Sequence, residues 1–313
     1  MSQKVVAMLS SYRGLDRRDW LWKQTPNHFG IWDKIQILAT AKKPDYLLLY
    51  QYDFPEPPAK KPWWKLGKQP QTQEINFAQQ YGVTKDKVIF LLREPPLEEI
   101  QDKNKRNYDK AANHCGYISA PDYDAPIPEY MPAIWYVGQS FDELSTGKVP
   151  EKLKPCSWIT SGISRTENHR RRLAFLEMLQ QNEIDFDLYG RRLPEWANSC
   201  GAVENKWNAM APYYYNLAVE NYAENDLYVS EKLWDSLLSW CLPIYYGGTA
   251  ADKLLPKGSF LRLPSMDEKG MAYIKEVTAS PDAWYEAKDK IAEARQIILH
   301  ELNLLKWLSD FVS

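Results

Sequence analysis

Residues 214–248, YYNLAVENYAENDLYVSEKLWDSLLSWCLPIYYGG, concentrate the groups best suited to chemistry. An apolar strand, YYNLAV, ends in the polar pair Glu220-Asn221, and a short polar loop leads to Ser230, which can cap a helix starting at Glu231 and Lys232. A helix N-terminus carries unpaired N–H groups and about half a positive charge, so it attracts a phosphate. Lys232 adds a point charge there, Glu231 is an acceptor suited to sugar hydroxyls, and Tyr228 supplies a donor at the loop exit. Local physics leaves a plainer reading open, in which Glu231 complements the helix dipole and Lys232 sits in solvent. Leu233, Leu237 and Cys241 mark the buried face of this helix, and Pro243 is expected to stop it before the next strand.

Such a site needs strands to hold it. Short β-branched and aromatic runs alternate with longer helical stretches, the pattern of α/β layers with parallel strands. KVVAML (4–9), DYLLLY (45–50), KVIFLL (87–92) and AIWYVG (133–138) read as strands in the first half. SWITSG (157–162), IDFDLYG (184–190), YYNLAVE (214–220), LPIYYG (242–247) and SFLRL (259–263) follow in the second. Their continuous apolar character fits strands buried on both faces. NHRRRLAFLEMLQQN (168–182) reads as a helix, with Leu173, Leu176 and Leu179 at helical spacing. The spacing predicts one long C-terminal helix over 281–313, its apolar stripe formed by Ala287, Ile291, Ala294, Ile298, Leu302 and Leu305. TGKVPEKLKP separates two strand–helix series, giving expected units 1–155, 156–280 and the terminal helix. Two proline-punctuated stretches, 52–72 and 119–132, read as loops. The first carries Trp63 and Trp64 among lysines, open to a sugar-acceptor platform, a partner contact or peripheral membrane contact.

Composition removes several classes of function. Thirty-nine basic and 41 acidic side chains leave a formal charge of −2, which argues against a general nucleic-acid binder. No run approaches the roughly 20 apolar residues of a membrane span, and the start of the chain lacks a secretory pattern, so a cytoplasmic protein is expected. Cys115, Cys156, Cys200 and Cys241 form no CxxC pair, and the four histidines are isolated, so neither a disulfide scaffold nor a metal centre is expected. Thirteen Trp and 20 Tyr suit stacking on sugar rings, although core packing uses them equally well.

The segment VENYAENDLYVSEKLWDSLLSWCLPIYYGG resembles the donor-binding motif of the family 10 glycosyltransferases, the α1,3/4-fucosyltransferases, as found in soluble bacterial members. The family's strand ending Phe-Glu-Asn is Val219-Glu220-Asn221 here, its Tyr-Val-Thr-Glu-Lys is Tyr228-Val229-Ser230-Glu231-Lys232, and its Pro-Ile/Val-x-Tyr/Trp-Gly is Pro243-Ile244-Tyr245-Tyr246-Gly247. LLPKGSFLRL (254–263), KPCSWITSG (154–162) and the R-x-x-F pair Arg172 and Phe175 continue the likeness. The resemblance implies an α/β GT-B architecture, two Rossmann-like domains facing a central cleft. It also implies a GDP-fucose donor, inversion at the anomeric carbon, an oligosaccharide or glycolipid acceptor, and no cofactor or required metal. By position, Arg172 and Lys232 would hold the diphosphate with Tyr228 nearby, Glu231 would meet the ribose, and Glu220 and Asn221 would line the donor pocket.

An inverting transfer needs a base for the acceptor hydroxyl. The family places its Glu at the end of a strand comparable to KVIFLLREPP (87–96), so Glu94 is the expected base; Pro95 keeps it extended at the carboxyl end of the strand, where open α/β sheets bind ligands. Glu94 could instead pair with Arg93, and Glu98 and Glu99 lie nearby. Asp185-Phe186-Asp187 and Asp122-Tyr123-Asp124 spell the DxD of metal-dependent transferases of another fold, by chance on this reading. The alternatives are a carbohydrate- or nucleotide-binding protein without catalysis and a transferase using another nucleotide sugar.

Overall fold

The computed structural model describes residues 3–12, 15, 19–55 and 76–312. Trp63 and Trp64 lie outside the described residues. Among the described residues, β1 (Lys4–Leu9), β2 (Ile31–Trp32), β3 (Ile35–Ile37), β4 (Tyr46–Tyr50), β5 (Val88–Leu91), β6 (Tyr117–Ala120) and β7 (Ile127–Pro128) form one sheet in the order β2-β3-β1-β4-β5-β6-β7. Only the β2–β3 pair in it is antiparallel. A second, wholly parallel sheet joins β8 (Lys154–Ser161), β9 (Asp187–Arg191), β10 (Tyr213–Val219), β11 (Leu242–Tyr246) and β12 (Leu261–Arg262) in the order β12-β11-β10-β8-β9. The helices are α1 (Phe77–Tyr81), α2 (Gln101–His114), α3 (Phe141–Thr146), α4 (Glu167–Gln181), α5 (Glu231–Leu238), α6 (Ala250–Leu254), α7 (Glu268–Thr278), α8 (Asp282–His300) and α9 (Leu304–Phe311).

Alternation along the central strands of the first sheet feeds two cores. Val6, Met8, Leu48, Tyr50, Ile89 and Leu91 pack on one face with Leu304, Leu305 and Leu308 of α9. Ala7, Leu47, Leu49, Phe90 and Leu92 pack on the other with Phe77 of α1 and Tyr108 and Ala111 of α2. Around the second sheet, Phe175, Leu176 and Leu179 of α4, Leu233 and Leu237 of α5, and Ile291, Ala294 and Ile298 of α8 join one core. Two open, largely parallel sheets with their helices are the architecture that the resemblance implies.

Four expectations about elements change. AIWYVG (133–138) is not a strand: only Ala133 makes a bridge, to Asn303. Side chains satisfy its backbone instead, with Gln24 on both polar groups of Trp135, Asp235 on the Tyr136 N–H and Asn205 on the Gly138 N–H. The expected single C-terminal helix is two helices. Buried Asn303 caps α9 by accepting from the Leu305 N–H and donates to the Gln24 carbonyl, so the chain turns from the second core onto the first. Pro243 does not end α5, which stops at Leu238. Trp240 follows in the left-handed region, at φ 62°, and Pro243 lies within β11. The stretch 119–132 likewise contains the end of β6 and all of β7.

Candidate active site

A cleft of about 850 Å³ lies between the carboxyl ends of the two sheets. Open parallel sheets bind ligands at this end because strand termini and helix N-termini converge there. Arg93, Glu94 and Tyr12 line it from the first sheet; Arg172, Asn221, Tyr228, Glu231 and Lys232 line it from the second. All the sequence-derived candidates except Glu220 therefore line one cavity.

Glu220, 1% exposed, lies beneath the wall and organises it. Its carboxylate accepts from the Ser230 N–H at 2.8 Å, the Ser230 hydroxyl at 2.7 Å and the Lys232 ammonium at 3.1 Å. The Ser230 oxygen in turn accepts from the Lys232 N–H, capping α5 as its sequence predicts. Carboxylate, cap and lysine thus fix one another at the helix start. Burial works against the charge on Lys232, but Glu220 and Glu231 overcome it and raise its proton affinity, so Lys232 remains a cation. Burial also opposes the Glu231 carboxylate, yet Lys232, Arg93 and Lys206 hold it well below the usual carboxylate range.

Arg172 reaches the cleft from the first turns of α4. Its hydrogen bonds go to neutral oxygens, the Asn221 amide and the Ser161 carbonyl, while its Nε–H has no protein partner. Burial pushes its guanidinium down to about 10, with partial relief from Glu220. A buried cation held only by neutral groups is poised to receive an anion. His169, on the same helix, is held below its ordinary range by burial and by Arg172 and Lys232. Tyr228 is pushed far up by burial and by Glu220, Glu94 and Glu231, so its hydroxyl keeps its proton and can donate.

On the opposite wall, Arg93 and Glu94 follow β5. The side-chain oxygen of Gln51 accepts from both of their backbone N–H groups, at 2.9 and 3.2 Å. Glu94 does not pair with Arg93; it receives the Tyr12 hydroxyl. Arg93 instead crosses to Glu231, at 2.5 Å. Glu99 accepts from the Glu167 N–H at the start of α4, which occupies one of the two neighbouring carboxylates. Of the DxD aspartates, Asp187 is engaged with Lys154 and Tyr213, and Asp122 with Tyr108. Among the described residues, no group of three or more His, Cys, Asp or Glu side chains is arranged to hold a metal ion.

Sequence reasoning missed Tyr12, Gln51, Tyr136, His169 and Lys206. Arg93 was visible beside Glu94, but nothing in its neighbourhood pointed to a partner 138 residues away. In total Arg93, Arg165, Arg172, Arg191, Lys206 and Lys232 line the cleft against Glu94, Glu204 and Glu231, a local excess of positive charge that suits a diphosphate.

Comparison with known proteins bears on the family and the fold. Residues 149–287 match the family model described as glycosyltransferase family 10 (fucosyltransferase), C-terminal region. The chain is 31% identical over 220 residues to α-(1,3)-fucosyltransferase C of Drosophila melanogaster, covering 63% of this chain and 48% of that protein. The chain thus spans less than half the length of the curated relatives it matches. A solved α-glucosyltransferase, in complex with UDP and a 13-mer DNA, superposes with a TM-score of 0.58 at 10% identity, over 100% of this chain and 99% of that one. That likeness concerns the fold alone. A solved α1,3-fucosyltransferase with GDP-fucose is also similar, at TM-score 0.43 and 17% identity over 97% of this chain and 92% of that one. Residues 149–287, which hold the motif around Glu231 and Lys232, are thus similar to the C-terminal region of glycosyltransferase family 10, the family of fucosyltransferases.

Proposed function

We propose that the protein transfers fucose from GDP-fucose to a hydroxyl of a sugar acceptor, with inversion at the anomeric carbon and an α1,3-type linkage. Fucose as the sugar transferred and the linkage follow the family description and the name of the Drosophila relative, and GDP as its carrier is what the motif resemblance implies. The observation that carries the reading is the pairing of opposite chemistries across one cleft: a carboxylate, Glu94, on one wall, and the cations Arg172 and Lys232 at helix starts on the other.

In this reading the diphosphate lies against Arg172, Lys232 and the first turn of α5. As the bond to the sugar breaks, charge builds on the leaving diphosphate, and fixed cations stabilise it without reorganising. Glu231 accepts from the ribose hydroxyls, Asn221 orients Arg172, and Tyr228 donates at the edge of the site. Glu220 acts from beneath by holding Lys232 and Ser230. Glu94 takes the proton of the acceptor hydroxyl as that oxygen attacks the face of the sugar opposite the leaving group. The Tyr12 hydroxyl marks the place on Glu94 where an acceptor hydroxyl would bond.

The test is Glu94→Gln, assayed for fucose transfer and, separately, for GDP-fucose binding. The expected outcome is a loss of turnover of about 10²–10⁴-fold with donor affinity within a factor of about three, while the wild-type product has the anomeric configuration opposite to that of the donor. Turnover within a factor of about five of wild type would remove Glu94 from the role of base.

A further inference from the structure

Arg93 is the neighbour of the candidate base, yet its side chain serves the other half of the cleft. Its guanidinium is deeply buried and meets Glu231 at 2.5 Å, with the two side chains 11% and 19% exposed. A second nitrogen donates to the Tyr136 hydroxyl at 2.8 Å, and the guanidinium lies 5.7 Å from the centre of that ring. Tyr136 is itself fixed: Trp20 stacks on it at 5.5 Å, and its N–H donates to Asp235 of α5 at 2.7 Å. Asp235 also pairs with Lys206 at 2.6 Å, whose ammonium lies 5.4 Å from the Tyr136 ring. Arg93 therefore has one nitrogen on a rigid platform and another on the carboxylate that faces the nucleotide.

This arrangement has two chemical consequences. One oxygen of Glu231 is committed to Arg93, while the other, 3.7 Å from Lys232, keeps free lone pairs for a hydroxyl, so the carboxylate presents a fixed edge. The same guanidinium ties the backbone at 93–94, already held by Gln51, to the first turn of α5. The base segment and the nucleotide-facing carboxylate thus share one buried link.

We propose that Arg93 is a positioning residue that couples the two half-sites, orienting Glu231 for the nucleotide and holding Glu94 in register with it. The proposal rests on the reading of Glu94 and Glu231 given above, but its first test is read on nucleotide affinity alone. GDP affinity is measured by calorimetry for the full chain and for Arg93→Met, Glu231→Gln and the double variant. Arg93→Met weakens GDP binding at least fivefold, and Glu231→Gln costs at least threefold less in the Arg93→Met background than in wild type. Equal losses from Glu231→Gln in the two backgrounds, or unchanged affinity in Arg93→Met, would overturn the coupling.

The second readout is transfer at saturating donor. Arg93→Met lowers kcat at least tenfold beyond its effect on donor KM, and Arg93→Lys, which keeps the charge, recovers part of both. A kcat unchanged at saturation would overturn the link to Glu94. Melting temperatures are recorded for each variant; if Arg93→Met does not fold, Arg93→Lys and Glu231→Asp carry the same cycle. If the wild type binds GDP but transfers no fucose, the proposed function fails while the affinity cycle still decides the coupling. Absence of GDP binding by the wild type overturns both.

Discussion

Arg172 and Lys232 differ in what balances their charge. Lys232 has two carboxylates within 4 Å, whereas the hydrogen bonds of Arg172 go to an amide and a carbonyl. Lys232 is thus held in place before any ligand arrives, and Arg172 gains most from an arriving anion. Lys232→Ala is expected to weaken GDP binding at least tenfold by calorimetry, since it removes the point charge at the start of α5. Affinity unchanged in that variant would mean that the diphosphate lies elsewhere. Ser230, Glu231 and Lys232 were legible in the sequence because their chemistry is local, a cap, an acid and a lysine within three positions, whereas Arg172 was named through the family resemblance alone. Arg93, Gln51 and Tyr136 were not legible, because their roles come from partners brought together by the sheets.

Ser230 shows how an element and a site share one atom. Its hydroxyl oxygen caps α5 and also contacts both Glu220 and Lys232. Ser230→Ala is expected to cost about 1 kcal/mol in denaturant unfolding, the usual value of an N-cap, and to weaken GDP binding as well. A loss of stability with intact affinity would show that the cap does not help to place Lys232. At this scale the strands with continuous apolar runs were readable, because burial on both faces leaves a plain signal. AIWYVG was misread for the same reason: it is equally apolar and buried, but its N–H groups are met by side chains of Gln24, Asp235 and Asn205, which no pattern of hydrophobicity records. The turn at Asn303 was hidden too, since the apolar stripe continues across it from one core to the other.

For the molecule as a whole, net charge said little about the ligand. A chain at −2 concentrates six basic side chains around one cleft, and only folding brings them together. The body behind the cleft also contains buried cations. Lys152 donates to the carbonyls of Ala211 and Ser239, and burial, with some help from Arg295, pushes it down to about 8 from its ordinary 10.5. Between those two values the unfolded chain holds a proton that the native chain has released, so this group makes stability rise with pH. Comparing wild type with Lys152→Met, the wild type should gain stability relative to the variant as pH rises from 8 to 10, measured by denaturant unfolding. A constant difference across that range would show that Lys152 keeps its ordinary proton affinity when folded.

The central claim is that the cleft between the two sheets takes GDP-fucose. Calorimetric titration of the full chain with GDP-fucose, GDP-mannose and UDP-galactose, each with and without a chelator, tests it most directly. Saturable binding of GDP-fucose is expected, tighter than that of UDP-galactose and indifferent to the chelator. Binding of UDP-galactose in preference to GDP-fucose, or no binding of GDP-fucose at all, would contradict it.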